Sequence, residues 1–128
     1  RMGREQFAPK AARWDRENHF PREALKGLAQ MGLYGVAIPE EWDGAGMDST
    51  ALALAIEAIA AGDGATSTIV QVNNLVAGIL NGYGSPAQKE KFLRPLARGE
   101  MLGAFCLTEP HTGSDAGAIT TRAERKGG

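Results

Sequence analysis

The chemistry-bearing residues of this chain gather in one late segment, Thr108-Glu109-Pro110-His111-Thr112-Gly113-Ser114-Asp115. Hydroxyls, carboxylates and a glycine follow there on the apolar run 101–107. Backbone N–H groups around Gly113 can form a concavity for an anion, and Ser114 adds a hydroxyl. Pro110 stiffens the loop, and Gly113 lets a ligand approach the backbone closely. The same composition also fits an ordinary polar hairpin loop. Other chemistries fail on spacing. His19 and His111 stand far apart, and no His or carboxylate pair has the spacing of metal ligands. Ser114 has no nearby His in a nucleophile pattern. Cys106 is the single cysteine, so no intrachain disulfide or cysteine–zinc cluster is available; in an apolar strand it is expected to be an inert buried thiol. Gly82-Tyr83-Gly84 follows a helical pattern instead of a strand, so it is not a dinucleotide fingerprint.

The elements that must position this loop are read from periodicity and breakers. Residues 1–18 are polar with scattered Phe7 and Trp14, and suggest one or two short helical turns interrupted by Pro9. Pro21 suits a first helical position, and Leu25, Leu28 and Ala29 before Gly32 predict a helix over 21–31. Residues 33–39 read as a short extended connector, and Asp43-Gly44 as a turn. Asp48 or Ser49 can cap a helix over 50–61, which is apolar nearly all round and is therefore expected in the core. Its one charge, Glu57, must then pair or reach solvent. A further helix covers 66–81. Ser85, Pro86 and Gln88 form a capping-box start for a helix running to about residue 97. After Gly99 the period changes: 101–107 reads as a buried strand, 108–117 as a loop and 120–126 as a second strand. The expected fold is mainly α. A bundle-like helical domain over 1–99 is followed by the first strands of an incomplete β-domain over 100–128.

Composition sets limits on function. The 128 residues allow one ordinary domain. Lys plus Arg is 14 against 15 Asp plus Glu, a net charge of −1, so there is no electrostatic footprint for nucleic acid. The longest apolar stretch without glycine, 51–56, is far short of the ~20 residues of a membrane span. No signal-peptide pattern opens the chain.

Leu107-Thr108-Glu109-Pro110, followed by Gly113-Ser114-Asp115, closely resembles the flavin-binding signature of the acyl-CoA dehydrogenase family. Met31-Gly32-Leu33 through Pro39-Glu40 to Gly44-Ala45-Gly46 resembles that family's Gly-Leu…Pro-Glu…Gly connector. Gly84 through Gln88-Lys89 to Leu96, Gly99 and Glu100 resembles its Gly…Gln-Lys…Leu…Gly-Glu helix. The three motifs stand in the family's order over nearly the whole chain.

The resemblance implies a fragment of an FAD-dependent enzyme. Such enzymes oxidise an acyl-CoA thioester to the trans-2-enoyl-CoA, usually pass electrons to an electron-transfer flavoprotein, and commonly assemble as tetramers. Phe105, Leu107 and Thr108 match positions that pack on the flavin ring. Gly113 and Ser114 match positions at the FAD pyrophosphate, and Ser114 also reaches the thioester ligand. Thr68, Gln71 and Leu75 share a helical face matching the acyl pocket, although ordinary packing explains the same spacing. Glu109 and Asp115 are expected to fix the loop by hydrogen bonds. His111-Thr112 replaces a small pair, and Phe105 stands where a tyrosine is frequent. The family's catalytic base lies in a carboxy-terminal domain, so no catalytic residue and no metal ligand is assigned here, and the chain alone is expected to be inactive. The implied location is cytoplasmic, or the mitochondrial matrix in a eukaryote. The alternatives are a piece of a related acyl-CoA oxidase or flavin monooxygenase, or a non-catalytic helical binding module.

Overall fold

The computed structural model describes residues 3–126. Helices dominate it. A π-turn at Gly3–Phe7 leads into α1, Ala8–Arg16. There follow α2, Arg22–Gln30; α3, Ser49–Ala60; α4, Gly64–Tyr83; α5, Pro86–Gln88; and α6, Arg94–Arg98. A second π-turn, Lys89–Leu93, joins α5 to α6. Each π-turn ends two residues before a proline, Pro9 or Pro95. Proline offers no N–H to the carbonyl four residues earlier, and the helix widens there.

The caps follow the sequence closely. Ser85 Oγ accepts from Gln88 N at 3.3 Å while Gln88 Oε1 accepts from Ser85 N at 2.8 Å, a complete capping box. Asp48 Oδ1 accepts from Ala51 N at 2.9 Å, and Asp63 Oδ2 from Thr66 N at 2.9 Å. Gly99 closes α6 with φ +72°, where a Cβ would stand 2.3 Å from Ala29 Cβ, so only glycine fits.

The core has two parts. Phe7, Trp14, Leu25, Leu28, Tyr34, Ile59 and Val70 form one cluster; Ile38, Ala77, Leu93 and Ala97 form the other. Two buried asparagines on α4 tie them to the surrounding chain. Asn73 Nδ2 donates to Tyr34 O at 3.3 Å and Leu96 O at 3.2 Å. Asn74 Nδ2 donates to Leu33 O at 2.8 Å, and its Oδ1 accepts from Val36 N at 3.2 Å. At the surface Arg94 and Arg98 both reach Asp43 Oδ2, at 2.9 and 2.7 Å, and Lys89 and Arg94 flank the Trp42 ring.

Several expectations are corrected. The mainly α class holds, but no β-strand forms among the described residues; 101–107 and 120–126 are extended without a ladder. A strand exists only when a partner takes its backbone groups, and an apolar run does not supply one. Met101, Leu102 and Phe105 are accordingly 43, 46 and 48% exposed. Cys106 is an exposed thiol instead of a buried one. α3 is not enclosed: Ile59 is its one fully buried residue and Leu54 is 61% exposed. It packs against α4 along one side, and its small alanines leave the rest open. Glu57 is therefore at the surface and needs no buried partner. The 33–39 connector is a chain of turns around buried Tyr34, Val36 and Ile38. Pro21 stands at the cap of α2 instead of its first turn, and the amino-terminal helix is longer than expected.

Candidate functional site

The late loop is shaped by side chains instead of by a sheet. Glu109 N donates to Thr112 O at 2.8 Å and Thr112 N returns to Glu109 O at 3.2 Å, an isolated antiparallel bridge. The Glu109 carboxylate then closes the loop on its far side. Oε2 accepts from Thr120 N at 3.0 Å and Thr120 Oγ1 at 2.9 Å. Oε1 accepts from Thr121 N at 2.8 Å and from the Thr121 hydroxyl. The Thr121 hydroxyl bond and the two backbone N–H groups hold the Glu109 carboxyl at about 2, below its usual 4.5. The glutamate is thus a fixed acceptor and is held charged. That matches the loop-fixing role expected for it.

Inside the clamp, Thr112 Oγ1 donates to Asp115 O at 2.6 Å, and a short 3-10 turn follows at Ala116–Ala118. His111 Nε2 lies 3.2 Å from Ala118 O and 3.5 Å from Glu109 Oε2. Gly113 backs onto Thr108: a Cβ there would lie 3.5 Å from Thr108 Oγ1 and Cγ2. The structure therefore brings Thr108 and Gly113 together and leaves the Thr108 and Ser114 side chains exposed beside them. Phe105 is half exposed, and Leu107 is half-buried.

Thr68, Gln71 and Leu75 fall on the outer face of α4, opposite buried Ser67, Val70, Asn73, Asn74 and Ala77. Leu75 is 45% exposed and Thr68 Oγ1 donates to Gly64 O at 3.0 Å. These three are surface positions, not core packing. The loop segment is tied to the same helix by its start: Gly103 N donates to Asn73 Oδ1 at 2.9 Å. Gly103 also sits on Val76, where a Cβ would be 2.8 Å from Val76 Cβ. Asn73 was not singled out by sequence reasoning. The available signal was two adjacent amides inside an otherwise apolar helix, where polar groups must find partners.

Residues 1–100 match the model for the acyl-CoA dehydrogenase N-terminal domain. The chain belongs to the acyl-CoA dehydrogenase family. The chain is 40% identical over 123 residues to the mitochondrial short-chain specific acyl-CoA dehydrogenase of Rattus norvegicus, covering 95% of this chain and 30% of the relative. It superimposes on butyryl-CoA dehydrogenase from Megasphaera elsdenii with a TM-score of 0.81 and 34% identity, over 90% of this chain and 31% of the other. A structure described under the electron transferring flavoprotein of Acidaminococcus fermentans matches at TM-score 0.88 and 35% identity, over 96% of this chain and 33% of its own. The chain thus spans about a third of the length of the relatives it matches. Among the described residues no helix is long and apolar enough to cross a membrane.

Proposed function

We propose that this chain supplies the helical amino-terminal domain (1–99) and the first flavin-side loop (from residue 100) of an enzyme that oxidises an acyl-CoA to its trans-2-enoyl-CoA. The observation that carries the reading is the clamped loop. The Glu109 carboxylate ties its own end of the loop to Thr120 and Thr121, Gly113 within it backs onto Thr108, and Ser114 follows exposed. A cofactor cradle needs such a fixed backbone with exposed donors, and the exposed Thr108 and Ser114 hydroxyls fit one. FAD, when bound, would accept the hydride from the substrate. Thr108 would hold the ring edge by its hydroxyl, with Phe105 and Leu107 against the ring. Gly113 and Ser114 would hold phosphate oxygens, and Ser114 would also meet the thioester group.

On α4, Thr68, Gln71 and Leu75 would line the path of the acyl chain, and their exposure is consistent with a covering ligand or domain. The proposed partners are an acyl-CoA substrate, an electron-transfer flavoprotein as acceptor and further copies in a tetramer. The location would be cytoplasmic, or the mitochondrial matrix in a eukaryote. No residue of this chain is assigned as the base that removes the α-proton, so the 128-residue chain alone should not turn over.

The test compares the chain with a protein of the relatives' full length, using acyl-CoA and an artificial electron acceptor. The longer protein should purify with bound flavin and turn over. Replacing Thr108 or Ser114 with Ala should lower flavin retention or catalytic efficiency. Turnover by the 128-residue chain, or unchanged flavin binding and efficiency in both variants, would overturn the reading.

A further inference from the structure

A cavity of about 450 Å³ lies at the other end of the molecule, between α1 and the start of α2. Its size is within the range of small-molecule sites. Its lining has an unusual chemistry for a chain with net charge −1: Lys10, Arg13 and Arg22 face Glu23 as the one carboxylate. Rings line it as well, from Trp14, His19 and Phe20.

Two of the cations there, Lys10 and Arg22, lie over rings. Lys10 Nζ lies 6.0 Å from the centroid of Trp14, and the Arg22 guanidinium carbon 5.3 Å from that of Phe20. Arg13 meets Glu17 at 3.9 Å, with both side chains 60% exposed, a pair that an incoming anion can compete with. His19 stacks on Trp14 at 5.9 Å and 21°, and both His19 and Phe20, the latter 42% exposed, reach solvent.

From this juxtaposition we infer that the cavity between α1 and α2 binds a planar heteroaromatic ring that carries phosphate groups, the chemistry of a nucleotide. A simple anion would satisfy the cations and leave the exposed His19 and Phe20 rings unused. A neutral apolar ligand would cover the rings and bring no anion to Lys10 and Arg22. A ring with a diphosphate does both: guanidinium forks and an ammonium suit phosphate oxygens, and the aromatic faces suit stacking.

The site is remote from the Thr108–Ser114 loop in sequence, and its test does not depend on the role proposed for that loop. The probes are ADP, adenosine and inorganic pyrophosphate, added to the isotope-labelled chain and followed by amide and indole NMR signals. ADP should shift the Trp14 indole and the Phe20 and Arg22 amides saturably, and leave the Trp42 indole unmoved. Adenosine and pyrophosphate should each bind about tenfold more weakly, since each makes half the contacts. Lys10→Gln and Arg22→Gln, both at exposed positions, should each weaken ADP about three- to tenfold with unchanged spectra elsewhere. Three results would overturn the inference. They are no saturable shift at Trp14, equal binding of pyrophosphate and ADP, or ADP shifts centred on Gly113 and Ser114 and absent from Trp14.

Discussion

The side-chain oxygen of Asn73 accepts the backbone N–H of Gly103 at 2.9 Å, while the same amide donates to Tyr34 and Leu96 carbonyls. One buried side chain thereby joins the turn region, the end of α6 and the segment that leads to the candidate loop. The loop's position relative to α4 depends on this residue.

Asn73→Ala should accordingly cost at least about 2 kcal/mol, because it leaves buried backbone groups without partners. Urea unfolding measures the loss. In the same variant the amide signals of 101–105 should shift more than those of α1.

Gly103→Ala should destabilise by roughly 1–3 kcal/mol, since the new Cβ would stand 2.8 Å from Val76 Cβ and 2.9 and 3.1 Å from its two Cγ methyls against a packed helix. Val76→Ala in the same chain should restore part of that loss. A double-mutant cycle by urea unfolding checks the coupling, and additive effects would show that the two do not meet.

Tyr34→Phe should stabilise the chain. The Tyr34 hydroxyl is buried and has no hydrogen-bond partner among the described residues. Removing it recovers about 1 kcal/mol, or about 4 °C in Tm. Burial also raises the Tyr34 hydroxyl from 10.0 to about 12. The unfolded chain therefore releases this proton first. Stability from the neutral form is full below pH 10 and is lost as pH rises to about 12. Alkaline melting curves should show that loss in the native chain and lack this contribution in Tyr34→Phe.

Glu109 has the opposite sign. Its carboxyl is lowered from 4.5 to about 2, so the clamp's contribution is present above 4.5 and is lost as pH falls through about 2. The amide signals of Thr120 and Thr121 should move together across that acid range. Glu109→Gln should free one of the two, because an amide keeps a single acceptor oxygen where the carboxylate uses both. Amide exchange at Thr120 and Thr121 measures this.

What the sequence disclosed was mostly local. Ser85 and Gln88 form a cap because their partners are three residues away, and Asp48 caps for the same reason. Glu109 was assigned to fixing the loop, and it does so with residues 11 and 12 positions on. The hidden features depend on distant partners. Asn74 reaches Leu33 across 41 positions, and no pattern in either segment signals the other. α3 and 101–107 show the complementary limit. Their apolar composition records a tendency to be covered, but Leu54 and Phe105 stay about half exposed or more. For the site, the motif marks Thr108 and Gly113 as loop positions, but their approach to each other is visible only in the structure. The exposure of Thr68, Gln71 and Leu75 was visible only after the buried face of α4 was known.

The clamp at Glu109 has a further consequence in time. Its ends are 11 and 12 residues apart, a span that a chain closes in tens of nanoseconds, whereas Asn73 and Gly103 are separated by 30. Because the closure needs no neighbouring strand, the loop should be an early-forming unit that the helices later capture as a finished piece.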